Sequence, residues 1–376
     1  MYKWSVKEID YLFNFYYKKA LDEEDNYRRS MYVETCNCLE ELINYYEEVL
    51  NSSGYCDDSS SMTYKNVIKD DLRLLHSYGV YAPIARNFVN QFEGRTFISQ
   101  PCLPKVTTSA NGILSMTNSF YKQFKGIFYE KYLELESNFR TRLHFKKISG
   151  QYNMGGNTHA IKNTDIIYID VGKSNTFQDY ISHIHESSHG ITSLINRDIM
   201  WDFNKYALIE VDAIFFELLG FDFVGNSLNN EEDSLIVKRA SFIDYLCSAE
   251  LICSKMDLYN DVSQDNLGNV KLIKAYYKNK CKYNKQMIKE ALFTTIGSIL
   301  HYVISYLIAI ELYYIYMSDH EYALDLLYKI ITAKSLGIVD YLELIDNIGI
   351  IPGQHIEEYC DSIFGKKDMM VYGKKM

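Results

Sequence analysis

The sequence lacks the features expected of secreted, disulfide-bonded or nucleic-acid-binding proteins. Its eight cysteines show no paired Cys-x-x-Cys spacing, and residues 1–19 contain no continuous apolar signal core. It also has no block of basic residues, because 39 Lys and Arg face 49 Asp and Glu, for a net charge of -10. These absences predict a cytoplasmic protein with reduced thiols that binds neither nucleic acid nor an anionic membrane.

The chain has one apolar run long enough to raise the question of a membrane span, at residues 296–317. This run contains His301 and Glu311, its tyrosines are spread along its length, and no basic cluster flanks it. These properties favour a buried core helix, with a membrane-spanning helix as the alternative.

The pattern of apolar residues predicts a mainly α-helical protein with one small β-sheet. Residues 5–50 predict an antiparallel pair of amphipathic helices, and residues 119–143 predict a further helix. Glycine punctuation from residue 145 and the β-branched run at 166–169 predict the sheet. Helical patterns then return in these segments: 176–196, 205–219, 232–256, 268–290, 291–317, 320–332, 338–346 and 353–363. We therefore predict an N-terminal helical lobe (1–144) and a second domain (145–376).

A short motif in the second domain predicts a metal site. Residues 185–189 read His-Glu-Ser-Ser-His, which is the pattern H-E-x-x-H. Residues four apart lie one above the other on a helix, so His185 and His189 can hold one ion. Two imidazoles and a carboxylate suit Zn²⁺, one per chain, and the adjacent Glu186 can take a proton from a water that the metal activates. His183 projects from a different side and is expected at the surface or behind the ligands.

The next predicted helix supplies the third ligand. Glu210 lies in a stripe of residues that otherwise reads as buried, where a carboxylate is costly unless it is paired or bound to a metal. Glu217 returns to the same face two turns later, so we predict that it orients a ligand or anchors the substrate, with a solvated charge as the alternative.

These motifs resemble the thimet oligopeptidase-like zinc peptidases, and within them the oligoendopeptidase F branch. The resemblance covers roughly residues 145–360, and its motifs occur in the family's order. They are 146-KKISGQY-152, 166-IIYIDV-171, 185-HESSHG-190, 209-IEVDAIFFE-217, 301-HYVISYLIA-309 and 333-AKSLGIVDYLELIDNIGI-350.

The resemblance implies a zincin-like (gluzincin) metallopeptidase, with a small sheet beside the active-site helix and helical lobes that enclose a cleft. It implies that Tyr306, Tyr302 and the adjacent His301 donate hydrogen bonds to the oxyanion of the tetrahedral intermediate. It also implies that an edge strand at 166–171, which includes Tyr168, lines the cleft and holds an extended peptide. Gly150 and Tyr152 are expected to line the same cleft.

The chain departs from the family in several places. The region before H-E-x-x-H is much shorter, which predicts a more open or differently gated cleft. Ser188 replaces the usual glycine before the second histidine, and Asp212 and Ala213 replace small residues. The family's tyrosine spacing upstream of Tyr306 is also not reproduced.

The sequence thus predicts a zinc-dependent metalloendopeptidase that cleaves short or unstructured peptides, with a monomer favoured. Three alternatives remain: a protease dedicated to one precursor, a non-catalytic peptide-binding protein on a peptidase scaffold, and a membrane-embedded peptidase that uses residues 296–317 as a span.

Overall fold

The structure is a computed structural model. It describes these residues: 6–51, 64–78, 81–95, 104–137, 141–147, 156–161, 164, 166–196, 210–335 and 341–368. The chain divides into two compact units, and each unit collects separate stretches of sequence. Unit 1 comprises Met1–Cys56, Cys102–Met200 and Leu219–Ser234, and unit 2 comprises Asp57–Pro101, Trp201–Leu218 and Leu235–Met376.

The described residues form these helices: α1 (Val6–Asp22), α2 (Asn26–Asn51), α3 (Tyr64–Tyr78), α4 (Ala82–Gln91), α5 (Ala110–Tyr121), α6 (Ile127–Ser137), α7 (Gln178–Ile195), α8 (Val211–Ser227), α9 (Glu231–Asp261), α10 (Val270–Asn279), α11 (Lys285–Phe293), α12 (Ile296–Ser318), α13 (His320–Ser335), α14 (Tyr341–Asn347) and α15 (Ile356–Asp368). The strands are β1 (Thr141–Lys147), β2 (Gly156–Ala160) and β3 (Ile167–Lys173).

Unit 1 contains a three-stranded sheet in the order β1-β3-β2. The central strand β3 pairs in parallel with β1 and antiparallel with β2. All residues of β3 except the last are buried, which explains its nearly continuous apolar sequence. Among the described strands, β1 and β2 are therefore the two edge strands of the sheet.

The two faces of the sheet pack against different helices of unit 1. Tyr168 of β3 packs with Ile9 of α1 and with Leu39 and Leu42 of α2 in one buried cluster. Successive strand residues point to opposite faces, so Ile169 and its partner on β2 face the other side. Helix α7 packs against β2 and β3, and it also contacts α5 and α6.

Unit 2 is helical throughout its described residues. Its longest apolar helix, α12, packs against α3, α4, α13 and α15. This is the one described helix that is long and apolar enough to cross a bilayer, and 67% of its most apolar window is buried within the protein. That burial favours the interpretation of α12 as a core helix.

Several sequence predictions match these elements, and two helix predictions are wrong. The segment predicted as one helix at 268–290 forms α10 and α11, with a break between them, and Asn284 caps the start of α11. The antiparallel pair at 5–50 is observed as α1 and α2. The helix predicted at 119–143 is instead the end of α5, a turn, the separate helix α6 and the start of β1. Gly126 causes the break, because its φ of 80° lies in the left-handed region that a helix cannot use.

The division into units also differs from the predicted boundary at residue 144. Strand β1 runs across that position, and both units recruit residues from both sides of it. The boundary between the units passes through α8, which is one continuous helix.

Candidate metal centre and active site

Helix α7, which carries the H-E-x-x-H motif, is fixed at its start by a buried carboxylate. Asp179 is 1% exposed and accepts hydrogen bonds from the backbone N–H groups of Ser174 and Asn175, both at 2.9 Å. It also accepts from the hydroxyls of Ser174 (2.8 Å) and Thr108 (2.7 Å). A negative charge in the first turn also interacts favourably with the helix dipole. Asp179 therefore ties α7 to the end of β3 and to the segment before α5.

Neighbouring helices hold the middle of α7 close. The phenol of Tyr121 donates to the carbonyl of Ile184 at 2.9 Å, one residue before the first motif histidine. A Cβ on Gly190 would lie 2.8 Å from Leu135 of α6, so this glycine allows α6 to approach directly after His189. These contacts set the position of the motif along and around α7.

The structure brings together the three predicted metal ligands. One ligand atom from each of His185, His189 and Glu210 lies within 4.8 Å of the other two. The histidines are half-buried and Glu210, directly before α8, is buried. An ion about 2.0–2.2 Å from each ligand needs ligand atoms about 3.4 Å apart, a spacing within the 4.8 Å limit that these atoms meet. Two imidazoles and one carboxylate form a donor set that fits Zn²⁺.

Glu186 lies against strand β2. Its side chain is buried, with 4% exposed, and its Oε2 accepts a hydrogen bond of 2.8 Å from the hydroxyl of Thr158. A Cβ on Gly156 would lie 2.5 Å from Oε1 of Glu186. The carboxylate of the predicted general base is thus in contact with two residues of one strand.

Within unit 2, Glu210 and Glu217 lie near a pair of stacked tyrosines. The rings of Tyr245 and Tyr306 are 3.9 Å apart and inclined by 13°. Burial raises the pKa of Tyr245 well above its ordinary value, and the charges of Glu217 and Glu210 raise it further. Burial, Tyr245 and Glu217 raise the pKa of Tyr306 in the same direction. Both phenols therefore remain protonated and can act as hydrogen-bond donors.

The three predicted oxyanion donors on α12 differ in access. Tyr306 is completely buried, whereas Tyr302 is 39% exposed and interacts electrostatically with Tyr245. His301 stacks near Tyr302, with ring centroids 4.2 Å apart, and its Nδ1 lies 3.0 Å from the carbonyl of Gly297. Tyr302 is thus the most accessible of the three predicted donors.

The edge-strand prediction needs correction. The strand predicted at 166–171 corresponds to β3, which is central, because β1 and β2 pair on both of its sides. Tyr168 is completely buried on the face that packs against α1 and α2, so its side chain points away from Thr158 and Glu186. The described edge strand beside the H-E-x-x-H motif is β2. Gly150 and Tyr152 lie outside the described residues.

His183 does not lie at the surface, which was one of the two positions expected for it. It is completely buried, and its Nδ1 lies 2.8 Å from the hydroxyl of Thr117 on α5. That hydroxyl donates its single hydrogen to the carbonyl of Ile113, so it accepts from the Nδ1–H of His183. Burial lowers the pKa of His183 to about 3, which keeps the ring neutral. His183 therefore anchors α7 to α5.

Sequence reasoning missed three residues next to the predicted site. Thr158 and Gly156 follow a Gly-x-Thr pattern, which places both on one face of a strand, but the pattern does not show which helix packs there. Tyr245 is one of 34 tyrosines and had no distinguishing signal. Its role near Glu210 depends on the packing of α9.

Comparison with known proteins identifies the fold. No protein-family model and no curated protein sequence matches the chain. A solved structure described as an oligoendopeptidase F of Bacillus anthracis str. Ames matches with a TM-score of 0.50 and 13% identity, over 90% of this chain and 66% of that one. A PZ peptidase A bound to an inhibitor matches with a TM-score of 0.53 and 12% identity, over 93% and 70%.

A second oligoendopeptidase F structure matches with a TM-score of 0.50 and 13% identity, over 94% of this chain and 65% of that one. At these identities the comparisons establish a shared fold. They confirm the predicted mainly helical fold with a small sheet, which this chain shares with the oligoendopeptidase F and PZ peptidase A structures. The chain spans about two thirds of the length of these structures.

Proposed function

We propose that this chain, which has the fold of oligoendopeptidase F and PZ peptidase structures, is a zinc-dependent metalloendopeptidase. The observation that supports this most directly is the convergence of His185, His189 and Glu210, with ligand atoms within 4.8 Å of one another, next to the buried carboxylate of Glu186. A fold shared with peptidases agrees with this chemistry, but the proposal depends on the residues of the site.

The residues divide the reaction among them as follows. When bound by the two histidines and Glu210, zinc supplies Lewis-acid activation of water and of the scissile carbonyl. Glu186 accepts a proton from the attacking water as the water oxygen bonds to the carbonyl carbon. The same carboxyl then gives this proton to the amide nitrogen as the C–N bond breaks, so an amine and a carboxylic acid leave.

Protonated phenols would stabilise the negative oxygen that develops on the carbonyl. Tyr302 is the exposed candidate for this hydrogen bond. Tyr306 is buried and would act indirectly, through its stack with Tyr245. In this proposal the charge of Glu217 helps to keep both phenols protonated, because it raises the pKa of each.

We propose short or unstructured peptides as substrates, in keeping with the structural neighbours. The inhibitor-bound PZ peptidase A is itself a peptidase with this fold. Cleavage of a peptide library with mass-spectrometric readout would define the preferred sequence, and would separate a general oligopeptidase from an enzyme that matures one precursor.

The decisive experiment combines metal content with one conservative substitution. We expect purified protein to carry about one zinc per chain, and chelation to abolish peptide cleavage. Glu186→Gln should keep the metal and lose activity by a factor of about 10² to 10⁴, because the amide cannot accept the proton. Glu232→Gln, at an exposed position of α9, is the matched control. Full activity in Glu186→Gln would contradict the mechanism.

Zinc-free protein whose melting temperature is unchanged by chelator would instead support a non-catalytic peptide-binding protein. A cytoplasmic location and a monomeric state also belong to this proposal. Cell fractionation tests the location, because a membrane-embedded peptidase would require detergent for release.

A further inference from the structure

We infer that Gly156 and Thr158 of β2 form a seat for the carboxylate of Glu186, with Thr158 as a positioning residue for the general base. This inference rests on the proposed function, since it assigns the seat a role in that same reaction. It adds two residues that neither bind the metal nor exchange protons.

Thr158 supplies the directional part of the seat. Its hydroxyl lies 2.8 Å from Oε2 of Glu186 and 2.9 Å from the backbone carbonyl of the same residue. A hydroxyl has one hydrogen to donate, and a bond to a charged carboxylate is the stronger of the two choices. The hydrogen therefore fixes Oε2 of Glu186.

Gly156 supplies the space. Its backbone is an ordinary strand conformation paired with Val171, so the chain does not need glycine for a special φ angle. A Cβ at this position would instead lie 2.5 Å from Oε1 of Glu186, which is closer than atoms in contact can approach. The absence of a side chain at Gly156 thus lets the carboxylate lie flat against β2.

The two residues act together because they lie two positions apart on one strand. Gly156 pairs with Val171 and Thr158 pairs with Ile169, so both face the side of the sheet on which α7 packs. A general base must be held within hydrogen-bond reach of its proton, and small displacements of such a group cost rate. Strand β2 therefore fixes the position of the Glu186 carboxylate.

The first test separates positioning from simple packing. We expect Thr158→Val, which keeps the shape and removes the hydroxyl, to lower kcat about 10- to 100-fold while KM and zinc content stay unchanged. Thr158→Ser, which keeps the hydroxyl, should restore most of the activity. Thr332→Val removes a hydroxyl that bonds to backbone carbonyls on α13, and it should behave like the parent protein. A Thr158→Val enzyme with parental kcat would overturn the positioning role.

The second test needs no activity and uses zinc-free protein. Gly156→Ala should lower the melting temperature by about 2–4 °C, because the new methyl group displaces the Glu186 side chain. In a Glu186→Ala background, where nothing occupies the seat, the same substitution should have almost no effect. An equal shift in both backgrounds would overturn the seat.

The two tests also distinguish the failure of this inference from the failure of the proposed function. Zinc-loaded parent protein that cleaves no peptide would overturn the proposed function and the positioning role with it. The contact between Gly156 and Glu186 would still be measured by the melting temperatures.

Discussion

Helices α7 and α12 are both largely buried, but they are held by different kinds of interaction. Helix α7 buries many polar side chains, and hydroxyls and backbone N–H groups from neighbouring segments hydrogen-bond to it. Helix α12 buries an almost continuous apolar surface and uses charged groups at only a few points. The difference shows that a helix rich in His, Ser and Asp can be a core element when neighbouring segments hydrogen-bond to several of its polar groups.

The charged contacts of α12 come in two clusters. Asp71, which is completely buried, accepts from the backbone N–H of Ile296 at 2.6 Å and from the ammonium of Lys255 at 2.7 Å. Near the other end, Glu311 accepts from the backbone N–H of His355 at 2.8 Å and lies 2.5 Å from its Nδ1. These partners come from other elements of unit 2, as expected for a core helix.

The largest effect on stability should come from breaking the first of these clusters. Asp71→Ala would leave Lys255 buried and unpaired, together with the phenol of Tyr259 that bonds to the same carboxylate. We expect the free energy of unfolding, measured with urea, to fall by about 3–5 kcal/mol. The double variant Asp71→Leu/Lys255→Met removes both charges and should recover much of this loss. A loss below about 1 kcal/mol in Asp71→Ala would contradict the assigned role.

The two helices should also respond to pH with opposite signs. On α7, burial lowers the pKa of His183 to about 3 from 6.5, so between these pH values the folded protein binds fewer protons than the unfolded chain. Its contribution is therefore complete above pH 6.5 and is lost as the pH falls, by about 2–4 kcal/mol. On α12, burial raises the pKa of Glu311, so the folded protein holds this proton more tightly than the unfolded chain. The contribution of Glu311 to stability is therefore lost as the pH rises through its raised pKa.

Urea unfolding at several pH values between 4 and 7 checks this prediction. The stability advantage of the parent over His183→Leu should shrink as the pH falls, whereas its advantage over Glu311→Gln should grow. Parallel curves for all three proteins would show that neither group carries the pH dependence.

The smallest effect on stability is expected at Tyr302, on the exposed side of α12. Because 39% of this residue is exposed, Tyr302→Phe should change the free energy of unfolding by no more than about 0.5 kcal/mol. If its phenol stabilises the oxyanion, kcat should nevertheless fall by about 10²-fold. Steady-state kinetics and a thermal melt of Tyr302→Phe would measure the effects on kcat and on stability separately. Unchanged kinetics would show that Tyr302 does not stabilise the oxyanion.

The sequence predicted the parts of this molecule that depend on local spacing. The four-residue interval between His185 and His189 needs only helical geometry. The burial of Glu210 could be predicted from its apolar sequence neighbours, so the candidate ligand set could be proposed in advance. The position of Thr158 and the stack of Tyr245 on Tyr306 depend on which strand and which helix become neighbours. The prediction that residues 166–171 form an edge strand failed for the same reason. Their apolar sequence suits a central strand, but the local sequence does not show that they pair with β1.

The hydrogen bonds of the two helices also differ in how far along the chain they reach. For α7 the most distant of the partners described above, Thr108 and Asp179, are 71 residues apart. For α12, Asp71 and Ile296 are 225 residues apart, and Asp71 and Lys255 are 184 apart. Contacts of short sequence separation close with less loss of chain entropy and favour faster folding. The hydrogen bonds around His185 and His189 on α7 are therefore expected to form early in folding. The start of α12 becomes fixed later, when segments that are distant in sequence have met.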